Sequence, residues 1–541
     1  MKKPLKIRRY LLHFSSHSIP QVFTDTLVLG TGVAGMRAAL AASQGGSALL
    51  VSKKSISDGS TWEAQGGIAA SVGSDDSPEA HFKDTVEAGC GLCDEGSARI
   101  MTEEGPKVVD ELREWGMNFD RSGDGGLAFT REGGHGLPRI LHAGGDATGA
   151  ELHRTLAEQV MQRDDINLFE DTFAIDLLTA AEGCRGALAW NETHGLLMIR
   201  SKQTVLATGG CGRIFRETTN PDVVTGDGLA MAFRAGVELQ DVEFMQFHPT
   251  TLYVAGASRA LISEALRGEG GVLKNNEGER FMPDYHDRAE LAPRDTVSRS
   301  ILREMQRTDH THVYLDVRDM DPDWVAQRFP TIAGLCREFD LELTEDLIPV
   351  RPAAHYLLGG VAVDDTGHTN LPNLLACGEV ACAGVHGANR LGSNSLLEGL
   401  VFGRRAGRAA AEAVGEMKEA VPLHAIQGLP QESAYGRLNV RDVEDSLRSL
   451  MSRNMGVERC GEGLSKALDM ITFWCRYMMD KEFERPQGWR VQNMLTTARL
   501  CTMSARQRQE SRGVHYRTDY PETSSDWARH IVVSNTGEEW L

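Results

Sequence analysis

The sequence predicts a Rossmann-like α/β domain, interrupted by an inserted α+β capping domain and followed by a C-terminal helical bundle domain. Three observations carry that reading. Five strand-like residues, Asp25–Leu29, run straight into Gly30-Thr-Gly32-Val-Ala-Gly35, with a small-residue helix (Met36–Ser43) and a second strand (Ala48–Ser52) behind them. Strands ending in small residues recur far downstream, at Thr204–Gly210 and Leu374–Glu379, so the first sheet is left and re-entered. Between these lies a stretch of different texture, and beyond residue 433 apolar residues recur at helical spacing.

Taken in order, residues 21–70 form the first βαβ unit. The first glycine of the motif makes the tight turn, the second lets a pyrophosphate approach the backbone, and the third lets helix and strand pack closely. Residues 76–120 read as helical, on the spacing within His81–Ala88 and Arg99–Trp115. Residues 121–150, rich in Gly, Arg and His, read as loop. Helix and strand return over 151–241 and close at Thr225-Gly-Asp227-Gly228. The stretch 242–357, with Phe247-His248-Pro249, Arg267-Gly-Glu-Gly270, Arg280-Phe-Met-Pro283 and Leu291-Ala-Pro-Arg294, is the capping domain. The sheet resumes over 358–416, which with 21–241 makes up the cofactor-binding domain. Residues 417–432 read as a linker, on Pro422, Gly428 and Pro430. Residues 433–541 form the C-terminal helical domain, its polar end wrapping back on the body. Residues 1–20 read as a disordered extension, because the apolar patch behind the basic residues (Tyr10–Phe14) is too short for a signal segment.

Composition narrows the function. At 541 residues, 41% hydrophobic and 25% charged, the chain reads as an ordinary soluble globular protein of two to four domains. A net charge of −19 argues against nucleic acid and against a membrane surface as partners. No apolar run reaches the ~18 residues that span a bilayer. Ten scattered cysteines suit reduced thiols in a cytoplasmic protein. Cys90 and Cys93 form a single C-x-x-C without a second pair or histidines at ligand spacing, so no metal site is expected.

The nucleotide expected at the glycine motif is FAD rather than NAD. The second strand ends in Ser52-Lys53, not in the Asp or Glu that holds an NAD ribose, and a sheet left and re-entered in this way is typical of two-domain flavoproteins.

The block Ser60-Thr-Trp-Glu-Ala-Gln65-Gly-Gly-Ile-Ala-Ala70 resembles the FAD-contact loop of the fumarate reductase / succinate dehydrogenase flavoprotein family. In that family's membrane complexes a histidine here is bonded to the flavin. Ser60 occupies its place, which implies non-covalent FAD. Thr130-Arg-Glu132-Gly-Gly-His135, followed by Arg139-Ile-Leu-His142-Ala-Gly-Gly-Asp146-Ala-Thr-Gly149, resembles the soluble branch of the family, the L-aspartate oxidases. The similarity continues through Gln246-Phe-His248, Ser263–Glu269, Ala292–Asp295, Pro352–Tyr356, His386–Glu398 and Glu510–His515, and covers roughly residues 24–521. It implies oxidation of L-aspartate to iminoaspartate by hydride transfer from Cα to flavin N5. O2 or fumarate then reoxidises the flavin, giving H2O2 or succinate. The reaction is the first step of de novo NAD biosynthesis, with possible functional coupling to quinolinate synthase. The resemblance places FAD against Gly30, Thr31, Gly32, Val33, Ala34, Gly35, Ser52, Lys53, Ser60, Thr61, Ala64, Gln65, Gly66, Gly67, Asp227, Glu379, Ser395 and Leu396. The alternative is the flavoprotein subunit of a fumarate reductase or succinate dehydrogenase, which would carry the histidine and an iron–sulfur partner.

A dicarboxylate needs two cationic ends, and Arg294 and Arg390 offer planar forks that suit carboxylates. His248 and His355 add hydrogen-bond donors, and Gln246 and Ser263 complete the expected substrate set. All four Arg and His residues sit in Gly/Pro/Ala-rich segments and are expected in loops. The resemblance makes Arg294 the proton donor or acceptor, although a guanidinium is a poor base unless a relay drains it. Glu132 is the discriminating residue: aspartate differs from succinate by one ammonium group, which a buried carboxylate would pair. The competing role for Glu132 is an ion pair with Arg131 or Arg139. His142 and His386 are expected to be structural.

Overall fold

The computed structural model describes residues 8–254, 260–417, 427–428 and 438–535. The linker expected at 417–432 lies almost wholly outside them, as do residues 1–7, 433–437 and 536–541.

The cofactor-binding domain is built on a mixed sheet. Strands Ile166–Phe169, Ala48–Val51, Gln21–Leu29 and Gly195–Leu206 run parallel in that spatial order. Gly183–Asn191 and Thr172–Ala180 extend the sheet antiparallel. The twelve-residue strand Gly195–Leu206 serves two neighbours on one edge: its first half pairs with Gly183–Asn191, and its last three residues pair with Leu374–Ala376. That is where the chain re-enters the sheet. Leu27 and Leu29 feed one hydrophobic core and Val28 the other, as expected of a strand covered on both faces. At the end of this strand Gly30 has φ +116°, and a Cβ there would sit 2.1 Å from the Ala207 carbonyl oxygen. Only glycine closes this turn.

The stretch 242–357 carries an antiparallel sheet in the order Met245–Leu252, Ile348–Leu357, Val313–Asp316 and Val272–Lys274. It has its own core, from Leu252 and Leu266 to Ile301 and Phe329, and helix Arg294–Arg307 packs across the first two strands. A contact from the other domain holds one of its helices: both carboxylate oxygens of Asp146 accept the first backbone N–H groups of Pro330–Arg337, from Thr331 (2.9 Å) and Ile332 (2.8 Å).

Helices Val440–Asn454, Gly461–Met478 and Pro486–Gln507 pack on one another and form the C-terminal helical unit. The chain then wraps back, and Val532–Val533 pairs antiparallel with Leu239–Gln240.

Residues 8–20 correct the expectation of a disordered extension. Leu11 and Phe14 are buried among Phe173, Ile175 and Trp489. The Leu11 N–H donates to Asp176 (2.8 Å), and Arg9 Nη2 donates to the Leu177 carbonyl (2.6 Å). The short apolar patch fills a groove on the sheet rather than starting a signal segment.

Candidate active site

One cavity of about 900 Å³ runs from the glycine turn to the capping sheet. Its cofactor half is lined by Gly30 to Ala34, Ser52, Lys53, Ser60 to Gly67, Thr208, Asp227, Glu379, Ser395 and Leu396. Helix Val33–Ala42 begins here, and its Val33 N–H is tied to Thr61 Oγ1 (2.9 Å). The first turn of the 23-residue helix Asn394–Glu416 also opens on it. Two helix N-termini, whose first N–H groups have no partner within their own helix, favour an electronegative ligand. Gln65 Oε1 and Thr208 Oγ1, both buried, have no partner among the described residues, and desolvation raises the pKa of the part-buried Glu379 to about 7. Glycine turn, helix termini and unspent acceptors together suit a dinucleotide with a polyhydroxylated chain. Two expected contacts are committed to each other: Lys53 Nζ donates to Asp227 (2.7 Å) as well as to Thr225 Oγ1 and the Val223 carbonyl. Gly35 does not line the cavity; its Cβ would meet the Gly30 carbonyl oxygen at 1.9 Å, so it serves the packing of helix on strand.

The substrate half brings together Glu132, His248, Ser263, Arg294, His355 and Arg390 from six separate stretches of chain. Arg294 is the first residue of its helix, and its Nε donates to Glu264 (2.5 Å). Arg267 lies 3.8 Å from the same carboxylate. Arg390 Nη1 donates to Ser395 Oγ (2.6 Å), and its guanidinium stacks on Tyr356 at 4.4 Å. Desolvation lowers the Arg390 pKa to about 10. Burial also holds His248 and His355 well below the usual 6.5, so both imidazoles are neutral.

Two expectations change. Gln246 is fully buried and does not line the cavity; its Oε1 accepts from Arg390 Nε (3.2 Å) and its Nε2 donates to the Arg390 carbonyl, so it orients an arginine instead of touching substrate. His248 and His355 lie on paired strands, not in loops. A register shift between His248 and Thr251 absorbs Pro249, which cannot donate to a ladder. His248 Nδ1 sits 3.0 Å from the Thr250 carbonyl and 3.3 Å from the Thr250 N–H, so the backbone of Thr250 holds the ring in place. Ser263 Oγ caps helix Glu264–Gly268 by accepting from Ala265 N–H (3.2 Å), leaving its hydroxyl hydrogen available.

Glu132 makes neither of the competing ion pairs. Arg139 is bound to Asp76 and Asp84, and Arg131 is exposed. The Glu132 carboxylate accepts only from Ser393 Oγ (2.8 Å) among the described residues. Burial, then the neighbouring Glu264, push its pKa up. His142 and His386 stand outside the cavity, bonded to Thr130 Oγ1 and Glu398 (both 2.8 Å).

Sequence reasoning missed Glu264, Arg267 and Ser393 as members of the site. All three lie in blocks already singled out, where an acid and a base three residues apart on a buried helix were the available signal.

Residues 25–396 match the FAD binding domain model, and residues 444–540 match the fumarate reductase flavoprotein C-terminal model. An L-aspartate oxidase of Streptomyces coelicolor is 44% identical, covering 95% of this chain and 91% of that one. One from a Nostoc species is 39% identical over 98% and 97%. The chain belongs to the L-aspartate oxidase family. Like those relatives it is an FAD-dependent oxidoreductase that oxidises L-aspartate and so serves NAD biosynthesis. Among solved structures it resembles an E. coli quinol fumarate reductase (TM-score 0.88, 32% identity, 95% of each chain). A Mycobacterium smegmatis Sdh1 structure is also similar (TM-score 0.82, 34% identity, 95% and 92%). No helix among the described residues is long and apolar enough to cross a membrane.

Proposed function

We propose that aspartate binds with its carboxylates against Arg294 and Arg390 and its ammonium against Glu132. FAD, held non-covalently beside Ser60, supplies the acceptor for the Cα hydrogen when bound. The observation that carries the reading is Glu132: a buried carboxylate with no ion pair among the described residues, in a cavity that offers two arginines. Leaving such a charge unpaired costs on the order of 2–5 kcal/mol, enough to separate an amino dicarboxylate from a plain one.

The neutral histidines add directed hydrogen bonds without disturbing that charge count. Arg294 is not isolated: Glu264 and then Arg267 continue from it as a chain of buried ionisable groups. Such a chain gives the guanidinium a path for a proton, which meets the objection that arginine alone is a poor base. The same groups suit protonation of a dicarboxylate in the reverse sense, which supports fumarate beside O2 as the oxidant. All ten cysteines are unpaired, which supports a cytoplasmic setting. Coupling to quinolinate synthase is proposed on chemistry: an imine hydrolyses in water, and a second enzyme must consume it first.

The test is anaerobic. Aspartate should bleach the flavin band of the wild-type protein and succinate should not. Glu132→Gln should lose bleaching by aspartate while still binding succinate. Bleaching by succinate alone would return the protein to the dehydrogenase branch.

A further inference from the structure

Among the described residues, one side chain holds the Glu132 carboxylate. Ser393 Oγ donates to its Oε2 at 2.8 Å. Ser393 has φ +60°, in the left-handed region that a non-glycine residue occupies only when its surroundings impose it. They do so here. The Ser393 carbonyl accepts the Ala69 N–H (3.1 Å). The preceding Gly392 carbonyl lies 3.0 Å from His135 Nε2, which must therefore carry a hydrogen. His135 Nδ1 is then an acceptor, and Arg139 Nη1 donates to it at 3.1 Å. Arg139 is anchored by Asp76 and Asp84. On its inner side the turn is pressed against the site itself: a Cβ on Gly392 would lie 2.7 Å from Glu132 Oε2 and 3.2 Å from Arg294 Nη2. A buried network thus fixes a strained turn whose product is one hydroxyl aimed at one carboxylate.

We propose that Ser393 is the positioning residue that holds Glu132 as an aimed carboxylate acceptor and thereby sets the preference for an amino dicarboxylate over the same dicarboxylate without the amine. The inference rests on the role given to Glu132 above. The charges facing Glu132 are Glu264, Arg267 and Arg294 from the capping domain and Arg390 from the cofactor domain, with neutral His135 behind the turn. Burial and Glu264 favour the protonated acid; the arginines and the Ser393 hydroxyl favour the carboxylate. Among the described residues only Ser393 makes a hydrogen bond to the Glu132 carboxylate, and that bond fixes its direction. Without that donor the acid takes up a proton more readily. A protonated Glu132 cannot pair with an ammonium, whereas a dicarboxylate lacking the amine is indifferent to the change.

The test uses the FAD-loaded full-length enzyme with Ser393→Gly and Ser393→Ala. The glycine variant removes the hydroxyl and relieves the left-handed backbone; the alanine variant removes the hydroxyl alone. Aspartate oxidation is measured across pH, and succinate affinity is read from the perturbation of the flavin absorbance. In both variants kcat/KM for aspartate at pH 7 should fall by roughly tenfold or more, the scale of one hydrogen bond to a charged group. Because loss of the donor raises the Glu132 pKa, the acid limb of the profile should move to higher pH by about one unit. Succinate affinity and flavin content should stay at the wild-type level. An equal loss of succinate affinity would make Ser393 merely structural and overturn the proposal. So would an unmoved aspartate profile in both variants while Glu132→Gln abolishes aspartate oxidation. Wild-type aspartate oxidation in Glu132→Gln would instead remove the reading of Glu132 on which the proposal stands.

Discussion

The two halves of the cavity are built on opposite principles. The cofactor half is made of turns, helix ends and small residues, and its chemistry is mostly backbone N–H and shape. Its part-buried ion pair, Lys53–Asp227, is satisfied by its own surroundings, Thr225, Val223 and Asn493. The substrate half is made of long ionisable side chains, Glu132, Glu264, Arg267, Arg294 and Arg390, packed without water-facing sides. The first half depends on close backbone approach at Gly30 and Gly67, and the second on the balance of its charges. A protein that must hold a large, permanent ligand beside a small, transient one gains from this division: shape retains the first, and charge counts the second.

Gly30→Ala should break the cofactor half most completely. The added Cβ collides with backbone, which cannot move as a flexible side chain would, so the variant should purify without a flavin spectrum and without activity. A yellow, active protein would mean that the turn has more room than its geometry allows. Arg294→Leu tests the other half. It should keep its flavin, because Arg294 belongs to the capping domain, and lose turnover on the order of 1,000-fold, the scale of removing a preorganised charge from a reacting centre. Loss of flavin in that variant would blur the division between the halves. The smallest effect is one of pH. His248 and His355 stay neutral because burial depresses their pKa, so no limb from them should appear near pH 6.5. His248→Asn and His355→Asn should lower the rate of aspartate oxidation yet leave the acid limb where it is. A limb that moves with either substitution would show a histidine charge taking part.

The division also explains what the sequence made legible. The glycine turn, its helix and the second strand are local, contained between Asp25 and Ser52, so their pattern specifies their contacts. The charged half is not local. Glu264 stands 30 residues from Arg294, and Ser393 stands 261 residues from Glu132. Residue type announces that such groups carry charge, but not which of several acids and bases meet. Gln246 shows the same limit: its place in a conspicuous block marked it for the site, and only the fold shows it spent on Arg390. The histidines expected in loops lie on strands because a register shift accommodates Pro249, a tertiary solution that local propensity does not foresee. Residues 8–20 deceived for the reverse reason. Their apolar patch is short, yet the groove beside Trp489 needs only Leu11 and Phe14 to fill it.

Asp146 adds a consequence for the seam between the two domains. It belongs to the cofactor domain, yet it supplies the N-terminal cap for helix Pro330–Arg337 of the capping domain. That helix has no capping side chain of its own, since Phe329 stands at its N-cap. Lifting the capping domain would therefore strand two backbone N–H groups, at a cost of about 1 kcal/mol for the lost cap. The capping helix is thus completed by a residue of the other domain, so the seam between the two domains is written into the hydrogen bonding of the helix.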